Sequence, residues 1–198
     1  MYLYINKIVE NTKIEGPGSR YCIYVQGCSI QCKDCISPQT WSSETSEKQL
    51  VEDIIQNILE SKEKNNIEGV TFSGGEPFDQ SKSLVKIARE IKEEKLSIVI
   101  FTGYTIENIF KSLDKHSLNL LECTDLLIDG PFLKDKRIYN KPWIGSSNQK
   151  YHFLTNRYNQ KGIELNSNKI EITLDKNGEI TVCGIINNEN IEKLLDNI

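Results

Sequence analysis

The sequence predicts an α/β protein with a mostly parallel sheet and a C-terminal β-hairpin. Two observations lead to this class: strand-like runs alternate with segments of helical periodicity, and the last two runs are separated only by a turn. The runs of the first kind cover residues 20–26, 68–72, 97–101 and 125–129. Strands that alternate with helices pair in parallel through right-handed crossovers. We therefore expect the carboxyl ends of these strands to lie along one edge of the sheet.

The segments between these strands have the periodicity of helices. Ser46 and Gln49 have capping-box spacing, and apolar pairs follow at helical intervals over residues 50–59, so a first helix is expected to begin near Ser46. Apolar residues recur in the same way over 84–91 and 106–113, which predicts the next two helices.

The C-terminal part of the chain has a different pattern. Residues 170–174 and 179–182 alternate around the turn sequence DKNG, which predicts the hairpin, and a short helix is expected over 189–195. A chain of 198 residues can bury one sizeable core. We expect a single domain over residues 1–198, with its core at about 16–150 and the hairpin and helix within 163–198.

Composition and charge exclude several classes of function. The 24 basic and 28 acidic residues give a formal net charge of −4, with the signs mixed along the chain. Because phosphate binding requires a concentrated basic face, nucleic acid is not an expected partner. The N-terminal segment lacks the apolar region of a signal peptide, and no run is long enough to span a membrane. These observations predict a cytoplasmic protein, whose cysteines are expected to be metal ligands or free thiols.

Three cysteines form the most informative cluster in the chain. Cys28, Cys32 and Cys35 follow the first predicted strand, and their spacing allows three thiolates to converge on one metal site. A [4Fe–4S] cluster held by three cysteines keeps one iron open to a substrate or cofactor, whereas an electron carrier normally supplies a fourth cysteine. Structural zinc also prefers four ligands.

A closed site with four cysteine ligands is the main alternative. Cys22 could supply the fourth ligand of a zinc or iron–sulfur site, but it lies within a predicted strand, where a buried small side chain is the simpler interpretation. Cys123 and Cys183 are isolated in the sequence and are expected to be ordinary thiols. From spacing alone, a metal site at Cys28, Cys32 and Cys35 is favoured, and zinc remains a competing occupant.

Several motifs together resemble a known family. The Cx3CxxC cysteines at the exit of one strand and the GGE motif at the exit of the next resemble the radical S-adenosylmethionine superfamily. Within it, the chain resembles the activating proteins of anaerobic ribonucleoside-triphosphate reductase. The segments that carry this resemblance, in order, are GPGSR, VQGCSIQCKDC, SPQTW, TFSGGEPF, FTGYT, LLIDGPF and GSSNQ. They run from Gly16 to Gln149 and cover most of the chain. The chain departs from the superfamily pattern in having Asp34 before its third cysteine.

The resemblance implies a partial (β/α) barrel and a defined pair of cofactors. A [4Fe–4S] cluster on Cys28, Cys32 and Cys35 would bind S-adenosylmethionine through its open iron and cleave it with one electron. Gly74 and Gly75 would let the backbone approach the methionine amino group, with the Glu76 carboxylate nearby. A tight turn from strand to helix is the alternative interpretation of SGGEP, although ligand sites of α/β proteins gather at such strand ends.

Further residues are expected at the same edge of the sheet. Thr102 and Gly103 follow the third strand and Asp129 ends the fourth, so all three are candidates to border the nucleoside or the substrate glycine. Asp129 could equally cap the turn that follows it. Arg20 is expected to stabilise a loop or a carboxylate, and Trp41 to cover the cysteine loop. His116 and His152 lack the spacing of metal ligands and are expected to be structural.

Three functions remain open at this stage. The resemblance favours an enzyme that generates a glycyl radical on anaerobic ribonucleoside-triphosphate reductase, with a low-potential donor such as flavodoxin reducing the cluster. A radical enzyme acting on a small molecule or peptide is the second possibility. The third is a non-catalytic zinc or iron–sulfur interaction module.

Overall fold

A computed structural model describes residues 1–44, 47–164, 170–174, 178 and 180–184. Its main feature is a sheet of seven strands, with the spatial order β3-β1-β2-β4-β5-β6-β7. In chain order these strands are β1 Tyr2–Thr12, β2 Arg20–Val25, β3 Glu47–Leu50, β4 Gly69–Gly74, β5 Ser97–Phe101, β6 Leu126–Asp129 and β7 Lys150–Phe153.

Five α-helices and a hairpin complete the described structure. The helices are α1 Val51–Asn65, α2 Ser81–Glu93, α3 Ile106–Ser112, α4 Lys115–Cys123 and α5 Gln160–Glu164. The hairpin consists of β8 Ile170–Leu174 and β9 Ile180–Gly184, which pair antiparallel. The predicted C-terminal hairpin is therefore confirmed, whereas the helix expected over 189–195 lies outside the described residues. None of the helices among the described residues is long and apolar enough to cross a membrane.

The centre of the sheet is parallel, as expected from the alternation of strands and helices. β2, β4, β5 and β6 pair in parallel with one another, while β1, β3 and β7 join antiparallel at the sides. The structure confirms the α/β class and the mostly parallel sheet. It also places the carboxyl ends of the four parallel strands along one edge, where the cysteine loop and the glycine-rich turn follow them.

Apolar residues cover both faces of this sheet. One face packs against α1, α2 and α4 and contains Ile23, Phe72 and Ile100, all fully buried. The other face contributes Val99 and Ile128 to a second buried cluster with α5 and the segment before β7. Burial on both faces explains why the strands are nearly continuous apolar runs.

Two helix predictions require correction. Residues 47–50 form strand β3, because they complete the sheet by pairing antiparallel with β1, and α1 begins only at Val51. Ser46 itself lies outside the described residues. The third helix ends at Ser112, and Leu113 adopts a left-handed conformation with φ 53° as its C-cap. Leu113 is consequently exposed instead of facing the core.

Arg20 connects three strands at the amino edge of the sheet, opposite the cysteine loop. Its buried guanidinium donates to Thr71 Oγ1 at 2.7 Å, to the Val70 carbonyl at 2.6 Å and to the Ser97 carbonyl at 3.1 Å. It also donates to the Pro17 carbonyl at 3.0 Å and to the Tyr158 hydroxyl at 3.1 Å. Arg20 therefore fixes the beginnings of β2, β4 and β5 relative to one another, and so stabilises the fold at a distance from the candidate site.

Candidate cofactor site

The cysteine loop leaves the carboxyl end of β2 and returns to it. The Gly27 amide donates to the Thr40 carbonyl at 2.8 Å, and the Cys28 amide donates to the Trp41 carbonyl at 3.1 Å. A single turn of 3₁₀ helix, Pro38–Thr40, brings the chain back to this point. The loop is therefore closed by backbone hydrogen bonds at its base, which hold the segment from Cys28 to Cys35 at the strand exit.

Two left-handed residues shape the loop between its cysteines. Gln31 has a φ of 47° and Asp34 a φ of 63°, and each directly precedes a cysteine. Aspartate tolerates this conformation better than most side chains, which gives a physical reason for Asp34 before the third cysteine. The Asp34 carboxylate also lies 3.2 Å from Lys134 Nζ, so this residue joins the loop to the segment after β6.

Backbone amides point toward all three cysteine sulfurs. The Ser37 amide donates to Cys35 Sγ at 3.4 Å. The amides of Ile30 and Gln31 interact with the Cys28 thiol, and the Phe132 amide interacts with the Cys32 thiol. Amide donors stabilise thiolates and tune iron–sulfur clusters through their sulfurs.

Burial raises the pKa of the Cys28 and Cys32 thiols, and the amide donors oppose this effect. Among the described residues, no three His, Cys, Asp or Glu side chains are grouped closely enough to hold a single metal ion. Three half-buried cysteines with amide donors match the ligand number of a [4Fe–4S] cluster with one open iron, whereas structural zinc prefers four protein ligands.

Cys22 lies where its sequence context indicated. It is within β2, fully buried, and its Cα pairs in register with Thr71. The strand thus holds it below the loop that carries the other three cysteines.

The SGGEP turn packs directly on the base of the cysteine loop. The Gly75 amide donates to the Val25 carbonyl at 2.8 Å, and the Glu76 amide donates to the Gly27 carbonyl at 2.9 Å. Gly74 has a φ of 99°, and a Cβ added to Gly75 would lie 2.2 Å from the Gly27 carbonyl oxygen. Both glycines are therefore required by the turn and by its close approach to the loop.

Glu76 joins this turn to the one after β5. One carboxylate oxygen accepts hydrogen bonds from the Phe78 amide at 3.0 Å and the Thr102 hydroxyl at 2.7 Å, and the other accepts from the Gly103 amide at 2.9 Å. Glu76 is fully buried, and burial raises its pKa to about 7 against the opposing effect of these donors. The structure thus brings three of the expected site residues together, with the Glu76 carboxylate directed at protein donors.

Asp129 is placed between a helix and a histidine. One of its carboxylate oxygens accepts from the Ile106 amide at 2.8 Å, in the first turn of α3, and lies 3.0 Å from His152 Nε2. The cap of the following turn, one of the two roles considered for Asp129, is not the contact that its carboxylate makes with Ile106, since that amide belongs to α3. His152 lies on β7, across from β6, and His116 lies in α4.

A polar cluster links three strand exits and was not predicted from the sequence. Asp79 accepts from the Ser29 amide at 2.8 Å, from the Ser29 hydroxyl at 3.0 Å and from the Tyr104 hydroxyl at 3.0 Å. The Ser29 and Tyr104 hydroxyls are 2.7 Å apart. We call Ser29, Asp79 and Tyr104 the clasp. Since Ser29 directly follows Cys28, the clasp connects the cysteine loop to the segments after β4 and β5. All three residues lie in or next to quoted motifs, which is the only signal the sequence offered.

Trp41 lies at the end of the cysteine loop. It lines a cavity of about 370 Å³ together with Tyr4, Gln26, Cys28 and Asp79. Its backbone carbonyl accepts the hydrogen bond from the Cys28 amide.

An α/β sheet whose neighbouring strand exits carry three clustered cysteines and a GGE turn defines the radical S-adenosylmethionine class. A family model described as a 4Fe-4S single cluster domain matches residues 14–152. The chain belongs to this family. The predictions of an enzyme, of a [4Fe–4S] cluster and of S-adenosylmethionine as its cofactors are confirmed.

Curated relatives include two kinds of activating enzyme. The anaerobic ribonucleoside-triphosphate reductase-activating protein of Vibrio cholerae is 32% identical over 149 residues, which are 72% of this chain and 92% of that relative. The pyruvate formate-lyase-activating enzyme of Staphylococcus aureus is 36% identical over 118 residues, covering 58% of this chain and only 47% of the relative. A crystal structure of QueE from Escherichia coli aligns with a TM-score of 0.43 and 22% identity, over 53% of this chain and 54% of that one.

The clasp predicts that Asp79 stabilises the cysteine loop. Asp79→Ala removes the acceptor of three hydrogen bonds, so the reconstituted protein should lose iron to a chelator several-fold faster than the wild type. Tyr104→Phe should have a smaller effect, because it leaves both bonds from Ser29 in place. Asp53→Ala, at an exposed position of α1, is the matched control and should release iron at the wild-type rate. Equal rates for Asp79→Ala and Asp53→Ala would contradict this role.

Glu76 predicts a pH dependence of stability in the cofactor-free chain. Its pKa is raised from the ordinary 4.5 to about 7, so the folded protein retains a proton that the unfolded chain has lost. The free energy of unfolding should therefore fall as pH rises between these values, by at most about 3 kcal/mol, and be insensitive to this group above pH 7. Urea unfolding of wild type and Glu76→Gln from about pH 5 to 8 measures this fall in the free energy of unfolding. The difference between the two proteins isolates this group, and a difference independent of pH would show the prediction to be wrong.

Proposed function

We propose that this protein activates a glycyl-radical enzyme, anaerobic ribonucleoside-triphosphate reductase, by abstracting hydrogen from one of its glycines. The observation that carries this proposal is the junction of the cysteine loop with the SGGEP and TGYT turns at one edge of the sheet. The Vibrio cholerae relative supports the choice of target, because the alignment spans nearly its whole length. We also propose that residues 1–198 form a single domain.

We propose specific residues as the ligands of the two cofactors. Cys28, Cys32 and Cys35 would hold the [4Fe–4S] cluster, since amide donors already face their sulfurs. The backbone at Gly74 and Gly75 would approach S-adenosylmethionine. When bound, the reduced cluster supplies the single electron that cleaves S-adenosylmethionine and so generates the radical that the reaction needs.

The chain's own residues would position these groups and exclude water. Glu76 holds the exit of β4 against Thr102 and Gly103, so that the two turns form one rigid border for the nucleoside. Asp129 fixes the start of α3 at the same edge. In this arrangement Glu76, Thr102, Gly103 and Asp129 act mainly by orienting backbone groups toward the cofactor.

Partners other than the reductase remain predictions from the sequence. A low-potential donor such as flavodoxin would reduce the cluster, and the protein would be cytoplasmic. A second candidate target is pyruvate formate-lyase, which is suggested by the Staphylococcus aureus relative.

The proposal is tested by mixing the reduced, reconstituted protein with S-adenosylmethionine and purified reductase. The doublet electron paramagnetic resonance signal of a glycyl radical should appear on the reductase, and a reductase with that glycine replaced by alanine is the control. If 5′-deoxyadenosine forms but the reductase shows no radical, the target is a different molecule, and pyruvate formate-lyase is then tested in the same way.

Single cysteine variants test the proposed ligands. Cys28→Ala, Cys32→Ala and Cys35→Ala should each abolish cleavage of S-adenosylmethionine, because each removes one of three cluster ligands. Cys22→Ala should retain cleavage, because Cys22 lies in β2 below the loop. Release of 5′-deoxyadenosine, measured by chromatography, separates the two groups, and undiminished release by any of the three ligand variants would refute the assignment.

A further inference from the structure

A histidine and an aspartate lie beside the turn that follows β5. His152 Nε2 is 3.0 Å from Asp129 Oδ2, and the two side chains are only 22% and 3% exposed. The same Asp129 oxygen accepts a hydrogen bond from the Ile106 amide at 2.8 Å. One carboxylate oxygen therefore contacts a histidine of β7 and the first amide of α3 at the same time.

The pairing of β6 with β7 explains how His152 comes to lie next to Asp129. In this antiparallel register His152 is opposite Leu127, and Lys150 is opposite Asp129. Because side chains alternate between the two faces of a strand, these four residues share one face of the sheet. It is the face that packs against the helices, since Leu127 is part of the core there. Asp129 can therefore reach the start of α3, and its diagonal neighbour His152 can reach Asp129.

Three contacts hold the turn after β5 against the exit of β6. The Thr102 amide donates to the Ile128 carbonyl at 3.0 Å, and the Gly130 amide donates to the Tyr104 carbonyl at 3.0 Å. The third contact, at the end of the turn, is the one made by Asp129. It is the only one of the three that depends on a side chain, so a neighbouring charge can change its strength.

Charge governs the contact between His152 and Asp129. His152 Nε2 is buried and has no aligned hydrogen bond to any described residue. A buried carboxylate is unfavourable in its ionised form, and a protonated imidazole beside it offsets this cost. Two further charged groups are near: Glu107, in the first turn of α3, interacts with His152 and with Lys150. Because histidine ordinarily changes charge between about pH 5 and 8, the hold of Asp129 on the turn should be tighter at the lower pH.

We propose that His152 is a positioning residue for S-adenosylmethionine: its protonated form holds the Asp129 carboxylate on the Ile106 amide and so fixes the turn of residues 102–106. The inference rests on the proposed function, in which this turn borders the nucleoside. His152 acts through Asp129 and takes no part in bond cleavage. Loss of its charge should weaken the binding of S-adenosylmethionine and leave the rate of cleavage at saturation nearly unchanged, because the cysteine loop is not altered.

Hydrogen exchange in the cofactor-free chain tests the structural part of the proposal. His152→Gln removes the titratable group, and His116→Gln makes the same change at the other histidine of the chain, in α4. At about pH 6, after correction for intrinsic exchange, the Ile106 amide should be about threefold to tenfold less protected in His152→Gln than in wild type. It should be protected as in wild type in His116→Gln. Equal protection of Ile106 in His152→Gln and wild type would overturn the proposal.

Binding of S-adenosylmethionine to the reconstituted protein tests the consequence for the cofactor. His152→Gln should bind about threefold to tenfold more weakly than wild type at about pH 6, and the two should bind equally at about pH 8. The pKa of Glu76 is raised to about 7, so its charge also changes in this range, but it contributes equally to both proteins. With dithionite as reductant, kcat should agree within about twofold. A loss confined to kcat, or a difference in binding that is independent of pH, would show a merely structural role and overturn the proposal.

A double-mutant cycle tests whether His152 acts through Asp129. Asp129→Asn removes the charge partner, so adding His152→Gln should have no further effect on binding. A further loss in the double variant would contradict the proposal. Failure of the wild type to form the glycyl radical would count against the proposed function, whereas exchange and binding are both measured without the reductase.

Discussion

The parallel pairing of β2 with β4 is the interaction on which the candidate site depends. The register runs from Arg20 opposite Gly69 to Val25 opposite Gly74, and the pairing continues beyond both strands. The Gly75 amide donates a hydrogen bond to the Val25 carbonyl, and the Glu76 amide donates one to the Gly27 carbonyl at 2.9 Å. The cysteine loop and the GGE turn are therefore held together by backbone hydrogen bonds of the same kind as those within the sheet. A side chain at position 75 would break this continuation, because its Cβ would collide with the Gly27 carbonyl.

Glu76 extends this unit to a third strand at an energetic cost. A fully buried carboxyl group is unfavourable in its ionised form, which explains its raised pKa. The three donors from Phe78, Thr102 and Gly103 offset part of this cost and tie the exit of β4 to the exit of β5. On the outer side, Asp79 makes a parallel connection through Ser29 and Tyr104. Two carboxylates, one buried and one exposed, thus hold the three exits in one arrangement.

Local sequence predicts only some of these features. The four parallel strands were predictable because burial on both faces leaves an apolar run in each. The edge strands were not predictable from local sequence. Residues 47–50, EKQL, are mostly polar, and they form a strand only because β1 has an unpaired edge with which they pair. The capping-box spacing around Ser46 was outweighed by this pairing. Local patterns carry no information about partners that are distant in sequence.

The same distinction applies to the candidate site. The cysteines and glycines could be proposed as site residues from the sequence, because their chemistry depends on spacing within one short segment. The clasp was missed because Ser29, Asp79 and Tyr104 come from three separate segments, and each is unremarkable by itself. Asp129 was expected either to border the nucleoside or the substrate glycine or to cap the turn after it. Its partner in the structure, the Ile106 amide, precedes it by 23 positions and could not be predicted from its neighbours in sequence. Thr102 and Gly103 were correctly placed at the sheet edge, whereas their bonds to Glu76 required the fold.

Side chains at the amino edge of the sheet stabilise the fold, whereas the carboxyl edge carries the candidate site. At the amino edge, the Arg20 guanidinium donates hydrogen bonds to buried carbonyls of neighbouring strands. The Asp125 carboxylate accepts hydrogen bonds from Lys92 Nζ at 2.9 Å and from the Ile98 amide at 2.8 Å. These contacts fix where the parallel strands begin. Because the length and register of each strand are also fixed, the positions of the carboxyl ends follow. The carboxyl edge can therefore carry glycines, left-handed residues and a buried carboxyl group, all of which weaken a structure locally. The positions of the three cysteines follow from this division, because the loop that bears them begins where β2 ends.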